Sequence, residues 1–285
     1  MALRSGPLAP GVAFITGGAR GLGNAIAVSF AKEGARGVVI VDINDEATLE
    51  QGKKNVEQYG AKCLAIRADV TNEGDVERAV DEAVKEFGRI DYAANFAGVI
   101  GPLGPTWDTS LADWKRVIEV NTVGVWLCNK YQLRQMMKQD SIEVEEHRPP
   151  QRGSIVNCAS VNSIQAGAGT TGYSASKHAV MGITKAAALE ARSHGIRINA
   201  VSPGFLLTKL LDSFLEEGDK QRGNETWAKY EARQGRKASF DEIGDVVVLL
   251  SLPRMSLVVG HNLVIDGYVA HPLLVDVFQI DRCHA

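Results

Sequence analysis

The sequence predicts an α/β fold: a single doubly wound parallel sheet of about seven strands, with helices on both of its faces. The main observation is a regular alternation. Short apolar runs follow one another along the chain, separated by longer segments in which apolar residues recur at helical spacing. Such an alternation gives parallel strands joined by helical crossovers. The chain has 285 residues, 45% of them hydrophobic, which suits one large domain, or at most two, with a full core.

A second observation is that polar or glycine residues stand where these apolar runs end. In open α/β sheets, ligands bind outside the carboxyl ends of the strands, so such residues are candidates for a common site. Six of them occupy this position: Gly17, Asp42, Asp69, Asn95, Ser160 and Pro203.

The first strand is predicted at residues 12–15, and a glycine-rich segment, residues 16–23, follows it directly. Ile26 and Phe30 then recur at helical spacing until Gly34. A glycine loop between a strand and a helix presents backbone N–H groups and a helix N-terminus to a phosphate. The spacing Gly-x-x-x-Gly-x-Gly differs from the common dinucleotide fingerprint. Before this strand, residues 1–10 contain two prolines and are expected to form a loose N-terminal arm.

The second strand, residues 38–41, ends at Asp42, nineteen residues after Gly23. In dinucleotide-binding folds, an acidic residue near this position binds the ribose 2′-hydroxyl and disfavours a 2′-phosphate. Asp42 therefore predicts NAD rather than NADP. Two alternatives stay open: Asp42 caps the next helix, although Asn44 or Asp45 would also serve, or Arg20 in the glycine loop binds a 2′-phosphate.

The remaining elements continue the alternation. Helices are predicted at residues 45–59, 73–87, 111–137, 172–194 and 241–252, and strands at 63–66, 90–96, 154–160, 197–201 and 263–266. Asn121 lies inside the third of these helices and is followed by Gly124, an unfavourable combination in a helix interior. This pattern indicates a kink, a carbonyl freed for a water chain, or a buried asparagine that is hydrogen-bonded in the core.

Three segments fall outside the alternation. Residues 138–152 are polar and bounded by prolines, which predicts a surface insertion. Residues 205–239 mix apolar and charged residues beside the strand ends, which predicts a substrate lid. Residues 271–285 form a C-terminal tail, so the catalytic domain is expected to span residues 11–270.

The strongest candidate for chemistry is the pair Tyr173 and Lys177, four residues apart and so on one face of a helix. An ammonium held beside a phenol favours its ionised form, and such a phenol can exchange a proton with an alcohol or a ketone. Ser160, at the end of the preceding apolar run, would hydrogen-bond the same oxygen. A lone pair of this spacing is more often an ordinary surface pair, so its value depends on the other motifs.

Composition excludes several classes of function. The net charge is −3, which provides no basic field for nucleic acid or anionic lipid. Four scattered cysteines and six histidines form no metal-ligand motif, so no metal site is expected. The N-terminus lacks a signal layout, and no apolar run reaches the length of a membrane span. We expect a soluble cytoplasmic protein without nucleic-acid or membrane partners.

Taken together, the motifs resemble the short-chain dehydrogenase/reductase family in its single-domain, Rossmann-fold form. The segment from Thr16 to Gly23 is similar to the family's cofactor loop, and Asn95-Phe96-Ala97-Gly98 resembles its Asn-Asn-Ala-Gly turn. Tyr173 and Lys177 match its Tyr-x-x-x-Lys motif, and Ser160 precedes Tyr173 by thirteen residues, the usual interval. The segment from Pro203 to Thr208 matches Pro-Gly-x-x-x-Thr. The matches run from about Val12 to Tyr268, nearly the whole chain.

The resemblance implies a role for each matching residue. Tyr173 is expected to be the general acid/base, assisted by Lys177, which also binds the nicotinamide ribose; Ser160 would position the substrate oxygen and Asn121 would hold a water. Asp69 would contact adenine, and Asn95 would stabilise the sheet near the cofactor. The residues expected to bind the cofactor are Gly17, Arg20, Gly21, Leu22, Gly23, Asp42, Ile43, Asp69, Val70, Asn95, Ala97, Gly98, Tyr173, Lys177, Pro203, Gly204, Leu206 and Thr208.

These expectations predict an NAD(H)-dependent oxidoreductase that interconverts a secondary alcohol and a ketone, with oxidation as the favoured direction and a homodimer or homotetramer as the assembly. An apolar pocket wall favours a lipophilic, ring-containing or terpenoid-like substrate: Val99, Ile100, Leu103, Trp107, Ile164, Phe205, Leu206 and Phe214. Those residues would otherwise be core or subunit contacts. The rival functions are an NADPH-dependent ketone reductase, a cofactor-binding protein without turnover, and cofactor-assisted chemistry without net redox change.

Overall fold

A computed structural model describes residues 7–143, 148–206, 228 and 231–270 of the chain. Its centre is a seven-stranded sheet in the order β3-β2-β1-β4-β5-β6-β7, in which every neighbouring pair is parallel. The strands are β1 (Val12–Thr16), β2 (Gly37–Asp42), β3 (Lys62–Arg67), β4 (Tyr92–Asn95), β5 (Gly153–Cys158), β6 (Ile196–Pro203) and β7 (Asn262–Ile265). The predicted fold class and the strand count are confirmed.

Helices connect these strands. They are α1 (Gly21–Lys32), α2 (Glu46–Glu57), α3 (Glu73–Phe87), α4 (Leu111–Ile118), α5 (Gly124–Lys138), α6 (Thr171–Ala191) and α7 (Phe240–Ser251). A π-helical turn, Glu119–Val123, joins α4 to α5, so the predicted helix over residues 111–137 is continuous but widened in the middle. Short 3₁₀ turns follow β5 (Val161–Ser163), α6 (Arg192–His194) and α7 (Pro253–Met255).

The strand order reverses between β1 and β4, and such a reversal leaves a crevice at the carboxyl ends of the two strands. The two strands are neighbours in the sheet, yet one connects onward towards β2 and the other towards β5. The chains leaving their carboxyl ends therefore separate, which is where open α/β sheets bind ligands. Thr16 links the end of β1 to the turn after β4, because its hydroxyl accepts hydrogen bonds from the N–H groups of Phe96 and Ala97, at 3.1 and 3.3 Å.

The apolar residues of the strands form two main core clusters. Parallel strands covered by helices on both faces are apolar along their whole length, as β1 and β2 are here. The expectation of a loose arm at residues 1–10 is wrong for its described end. Ala9 is fully buried and donates its N–H to the Glu33 carbonyl, because Leu8 and Ala9 are apolar enough to join the core.

The predicted insertion at residues 138–152 is anchored at both described ends. Gln139 is buried and donates its side-chain amide to the carbonyls of Ile90 and Arg152. Gln151 is also buried and accepts from Arg197. Arg197 lies inside the protein and donates to the carbonyls of Leu250, Ser251 and Leu252 at the end of α7. Burial lowers the pKa of Arg197 to about 10, and these carbonyls at a helix C-terminus stabilise the buried cation.

Candidate active site

The glycine loop after β1 contains glycines that are required for different reasons. Gly17 has φ +69° and packs so closely on the turn after β4 that a Cβ would lie 2.8 Å from the Ala97 nitrogen. A Cβ at Gly23 would lie 2.1 Å from the Gly17 carbonyl oxygen. Gly21 also has a positive φ, +57°, but a Cβ there would meet nothing within 4 Å. Gly21 therefore lines open space at the N-terminus of α1, whereas Gly17 and Gly23 allow tight packing.

Asp42 stands at the end of β2 and is tied to this loop. One of its carboxylate oxygens accepts the N–H of Ala19, at 3.1 Å, and the other accepts both the main-chain and side-chain N–H groups of Asn44. The cap of α2 is Asp45, which accepts from the Thr48 N–H. The alternative that Asp42 caps this helix is therefore wrong. Arg20 is exposed, and Ile43 is 57% exposed at the same edge of the sheet.

Asp69 follows β3 at the same edge of the sheet. One of its carboxylate oxygens accepts from the N–H and hydroxyl of Thr71, and its own N–H donates to Asp75. The side chain of Val70 is buried against α5, since a Cβ at Gly124 would lie 2.8 Å from a Val70 methyl. These contacts fix the turn in which an adenine-contacting residue was predicted.

The predicted catalytic residues come from β5, the turn after it, and α6. Lys177 is buried, and its Nζ donates to the carbonyl of Cys158, the last residue of β5, at 2.8 Å. The same Nζ lies 5.5 Å from the centre of the Tyr173 ring. Ser160 is buried beside the following 3₁₀ turn, where its hydroxyl accepts the Asn162 N–H. Asn162 also donates to Thr170 and Ser174, so the Ser160 turn is tied to the start of α6.

Asn121 lies in the π turn and is fully buried. Its Oδ1 accepts the Val99 N–H, and its Nδ2 donates to the Val99 carbonyl, each at 2.8 Å. A Cβ at Gly98 would lie 3.1 Å from Asn121 Oδ1 and 3.8 Å from Lys177 Nζ. The structure therefore brings the turn after β4, the π turn and α6 together. A π turn interrupts the regular i→i+4 ladder and is frequent at functional sites.

Asn95 lies at the centre of a buried polar network that the sequence did not reveal. Its side-chain amide exchanges two hydrogen bonds with Gln132, at 3.0 and 2.7 Å, and donates to Asn157. Asn157 in turn contacts Asn129 and Thr184. The network links β4 and β5 to α5 and α6. Its members are scattered over 90 positions, from 95 to 184, so no local spacing could have indicated it.

The chain after β6 contributes the last predicted cofactor contacts. Gly204 is close to β7, since a Cβ there would lie 2.8 Å from the Asp266 Cα, and Phe205 donates its N–H to Gln234. The side chain of Leu206 packs in the core instead of lining a pocket, because it is 8% exposed among buried apolar residues. Thr208 and Phe214 lie outside the described residues, as do much of the predicted lid and the whole of the predicted tail.

A small depression lies beside Tyr173. Its lining combines four apolar residues, Ile100, Pro102, Trp114 and Val117, with four polar ones, Thr109, Asp113, Thr170 and Thr171. Two hydrogen bonds hold the loop before α4 against the start of α6. The Gly104 N–H donates to the Gly169 carbonyl, and the hydroxyls of Thr106 and Thr171 are hydrogen-bonded to each other at 2.6 Å. Leu103, Trp107 and Ile164 are 52%, 85% and 49% exposed and form no closed wall in the described part of the chain.

The environment of Cys158, which lies beside Lys177, disfavours this cysteine as a reactive group. Burial raises the pKa of the Cys158 thiol, although the Lys177 ammonium acts in the opposite direction. A protonated, buried thiol is a poor nucleophile. Among the described residues, no group of three or more side chains could hold a metal ion. The described helices also include none with the length and apolar character of a membrane span.

The residues present fit a dinucleotide. Gly21 leaves open space at the start of α1, where main-chain N–H groups would meet a diphosphate. Asp42, at the end of β2, would meet the adenosine ribose, and Lys177 would meet the ribose of the reactive half. Gly21 follows the carboxyl end of β1, Asp42 ends β2, and Lys177 contacts Cys158 at the end of β5, so all three lie beside the same edge of the sheet.

The chain is similar in sequence and in fold to several known proteins. The chain matches the family model described as enoyl-(acyl carrier protein) reductase over residues 17–268. It is 37% identical over 264 residues to the short-chain dehydrogenase fogB of Aspergillus ruber, covering 90% of this chain and 96% of that protein. It is 36% identical to (+)-borneol dehydrogenase 2 of Salvia officinalis, covering 90% and 88%. Among solved structures, levodione reductase superposes with a TM-score of 0.84 at 34% identity, covering 92% of this chain and 98% of that one.

The chain belongs to the short-chain dehydrogenase/reductase family. It is accordingly an oxidoreductase that acts on CH–OH and carbonyl groups with a nicotinamide cofactor, NAD or NADP.

Proposed function

We propose that this protein oxidises a lipophilic, ring-containing secondary alcohol to a ketone with NAD, and that Tyr173 is its general acid/base. The observation that supports this function is the arrangement of Tyr173 and Lys177. The buried ammonium lies 5.5 Å from the phenol ring and, within the described residues, donates its hydrogen bond to a main-chain carbonyl, not to a carboxylate. No carboxylate within the described residues therefore neutralises this positive charge, and it can stabilise negative charge on a nearby oxygen.

The chain's own residues would act as follows. The Ser160 hydroxyl orients the substrate oxygen, and the Tyr173 oxygen takes the alcohol proton as the C–O bond gains double-bond character. Lys177 stabilises the ionised phenol and fixes the ribose beside it. A nicotinamide cofactor held by these residues would supply the hydride acceptor for the carbinol carbon. For ketone reduction, Tyr173 returns the proton to the same oxygen.

The proposal of NAD rests on Asp42. Its carboxylate is held at the end of β2 by hydrogen bonds from Ala19 and Asn44, so it cannot readily turn away from a ribose placed there. A ribose 2′-hydroxyl can donate to a carboxylate, whereas a 2′-phosphate would face a like charge at close range.

A second candidate is NADPH-dependent ketone reduction, and one observation favours it. Arg20 is exposed in the glycine loop, next to Ala19, whose N–H binds Asp42. An arginine at that place can meet a 2′-phosphate. One of the similar solved structures is also a reductase by name.

A lipophilic substrate is supported by the apolar side chains near Tyr173. Ile100, Pro102, Trp114 and Val117 line one part of the depression beside it, and four polar residues line another part: Thr109, Asp113, Thr170 and Thr171. Burial of apolar substrate surface against such side chains contributes roughly 25 cal/mol per Å². The similar borneol dehydrogenase is named for a bicyclic secondary alcohol, which fits the same description. A cytoplasmic location and a homodimeric or homotetrameric assembly remain predictions.

The test is an assay of NADH formation with cyclic terpenoid alcohols on one side and sugar alcohols on the other. We expect turnover of the lipophilic alcohols alone. Tyr173→Phe should reduce kcat at least about a thousandfold, in line with the loss of a general acid/base, while NADH still binds with a similar Kd by fluorescence titration. The matched control is Tyr59→Phe, an exposed tyrosine just after α2, which should retain full activity.

Two results would contradict the proposal in different ways. Normal turnover by Tyr173→Phe would remove Tyr173 from acid/base catalysis. Oxidation of sugar alcohols without oxidation of lipophilic alcohols would overturn the substrate class and leave the catalytic assignment intact.

A further inference from the structure

The Ser176 hydroxyl connects two parts of the candidate site that come from distant stretches of the chain. Ser176 lies in α6 between Tyr173 and Lys177 and is fully buried. Its Oγ donates to the main-chain carbonyl of Tyr173, at 2.7 Å. The same Oγ accepts a hydrogen bond from Asn121 Nδ2, at 3.0 Å, across 55 residues of sequence. One hydroxyl thus joins the helix that carries Tyr173 to the π turn.

The Asn121 amide has no donor left for any other partner. An asparagine NH₂ group has two hydrogens, and here one binds the Val99 carbonyl and the other binds Ser176. Its Oδ1 accepts the Val99 N–H. Asn121 is therefore held on one side by the loop after β4 and on the other by α6. Within the described residues, the Ser176 hydroxyl is the one side-chain hydrogen bond between Asn121 and α6.

We propose that Ser176 is a positioning residue for catalysis, which fixes the π turn against the first turns of α6. This inference rests on the proposed function and deepens it. Without the hydroxyl, a buried N–H of Asn121 loses its acceptor, which is costly away from water. The π turn then moves relative to α6, and Tyr173 and Lys177 lose their register with the Gly98 turn. Small displacements of this kind reduce the rate of the chemical step more than they weaken binding.

The experiment compares Ser176→Ala with Ser251→Ala in the full-length protein. Ser251 is a matched control, because it is also a fully buried helix serine whose hydroxyl donates to a main-chain carbonyl of its own helix, that of Val247 in α7, outside the candidate site. We expect kcat for alcohol oxidation to fall on the order of tenfold in Ser176→Ala, with KM and the Kd for NADH within about twofold of wild type. Ser251→Ala should leave kcat near the wild-type value.

A second measurement does not depend on turnover. Amide hydrogen exchange of the free proteins should be faster across residues 119–123 in Ser176→Ala, and unchanged there in Ser251→Ala. Equal exchange in both variants, or an unchanged kcat in Ser176→Ala, would overturn the proposal. If the wild-type protein oxidises no alcohol and reduces no ketone, the proposed function fails, and hydrogen exchange alone then decides whether Ser176 holds the π turn.

Discussion

Asp42 has a structural role that its hydrogen bonds show, and we propose a chemical role for the same side chain. Its hydrogen bonds to Ala19 and Asn44 connect the glycine loop to the turn after β2. The same bonds fix the position of a negative charge at the ligand-binding edge of the sheet. A change at this residue is therefore expected to alter loop geometry as well as the proposed choice of cofactor, and an informative experiment has to separate the two effects.

Asp42→Ala should relax the preference for NAD over NADP. Removing a carboxylate that faces a 2′-phosphate removes a like-charge repulsion of at most about 4 kcal/mol at 4 Å in a medium of intermediate dielectric. Salt screens part of this repulsion, so the ratio of the two Kd values should change on the order of tenfold or more. The measurement is fluorescence titration with NADH and NADPH. The control is Asp45→Ala, which removes the cap of α2 at a cost of about 1 kcal/mol and should leave the ratio unchanged. An unchanged ratio in Asp42→Ala would remove this residue from ribose recognition.

The glycine loop allows a test of whether the diphosphate of the cofactor binds at the N-terminus of α1. Gly21 and Gly60 both have positive φ, +57° and +84°, and a Cβ at either would meet nothing within 4 Å. Replacement of either by alanine should cost about 1–2 kcal/mol of stability, because left-handed backbone is unfavourable for residues with a Cβ. Only Gly21 adjoins the N-terminus of α1, so only Gly21→Ala should weaken NADH binding. Similar Kd values for the two variants would show that no diphosphate approaches Gly21.

The first turn of α7 should show acid sensitivity. Glu242 accepts the Ser239 N–H in a capping box and forms an ion pair with Arg236. The Arg236 hydrogen bond, followed by the Ser239 N–H, lowers the pKa of Glu242 from its ordinary 4.5 to about 2. A lowered folded-state pKa means that the unfolded chain takes up the proton first. This contribution to stability is therefore present above pH 4.5 and lost as the pH falls towards 2.

We expect Glu242→Gln to flatten the dependence of unfolding free energy on pH in that interval. The measurement is urea unfolding at several pH values. The control is Glu46→Gln, another exposed glutamate in the first turn of a helix, in this case α2. If wild type and Glu242→Gln lose stability in parallel between pH 4.5 and pH 2, the ion pair and cap do not contribute in the folded protein.

At the scale of the whole molecule, the alternation of apolar runs was enough to predict the sheet. Parallel strands buried on both faces are continuous apolar runs, so all seven could be located from the sequence, with bounds that differ by a few residues. The first residue of a helix could be predicted where a side chain just before it caps the helix, as Asp45 and Asn72 do. These features depend on neighbours in the sequence.

The parts of the site that were missed depend on neighbours in space. Asn121 was recognised as unusual in a helix, but its partners Val99 and Ser176 are 22 and 55 residues away, so the π turn itself was not predicted. Leu206 was expected in a pocket, although its side chain packs in the core. Ser176 is three residues after Tyr173, a spacing that places it on the same helical face. That spacing could have indicated Ser176, but only tertiary contact explains its role.

The cofactor itself should act as a ligand for the entire fold, because its predicted contacts follow β1 to β6 and so involve six of the seven strands. A ligand that binds only the folded state at 100 times its Kd stabilises it by about 2.7 kcal/mol. For a domain of this size, that corresponds to an increase in melting temperature of roughly 5–10 °C. Thermal unfolding with equal concentrations of NADH and NADPH therefore ranks the two without any substrate. We expect NADH to give the larger increase. A larger increase with NADPH would mean that Arg20 outweighs Asp42, and a search for substrates should then begin with ketones.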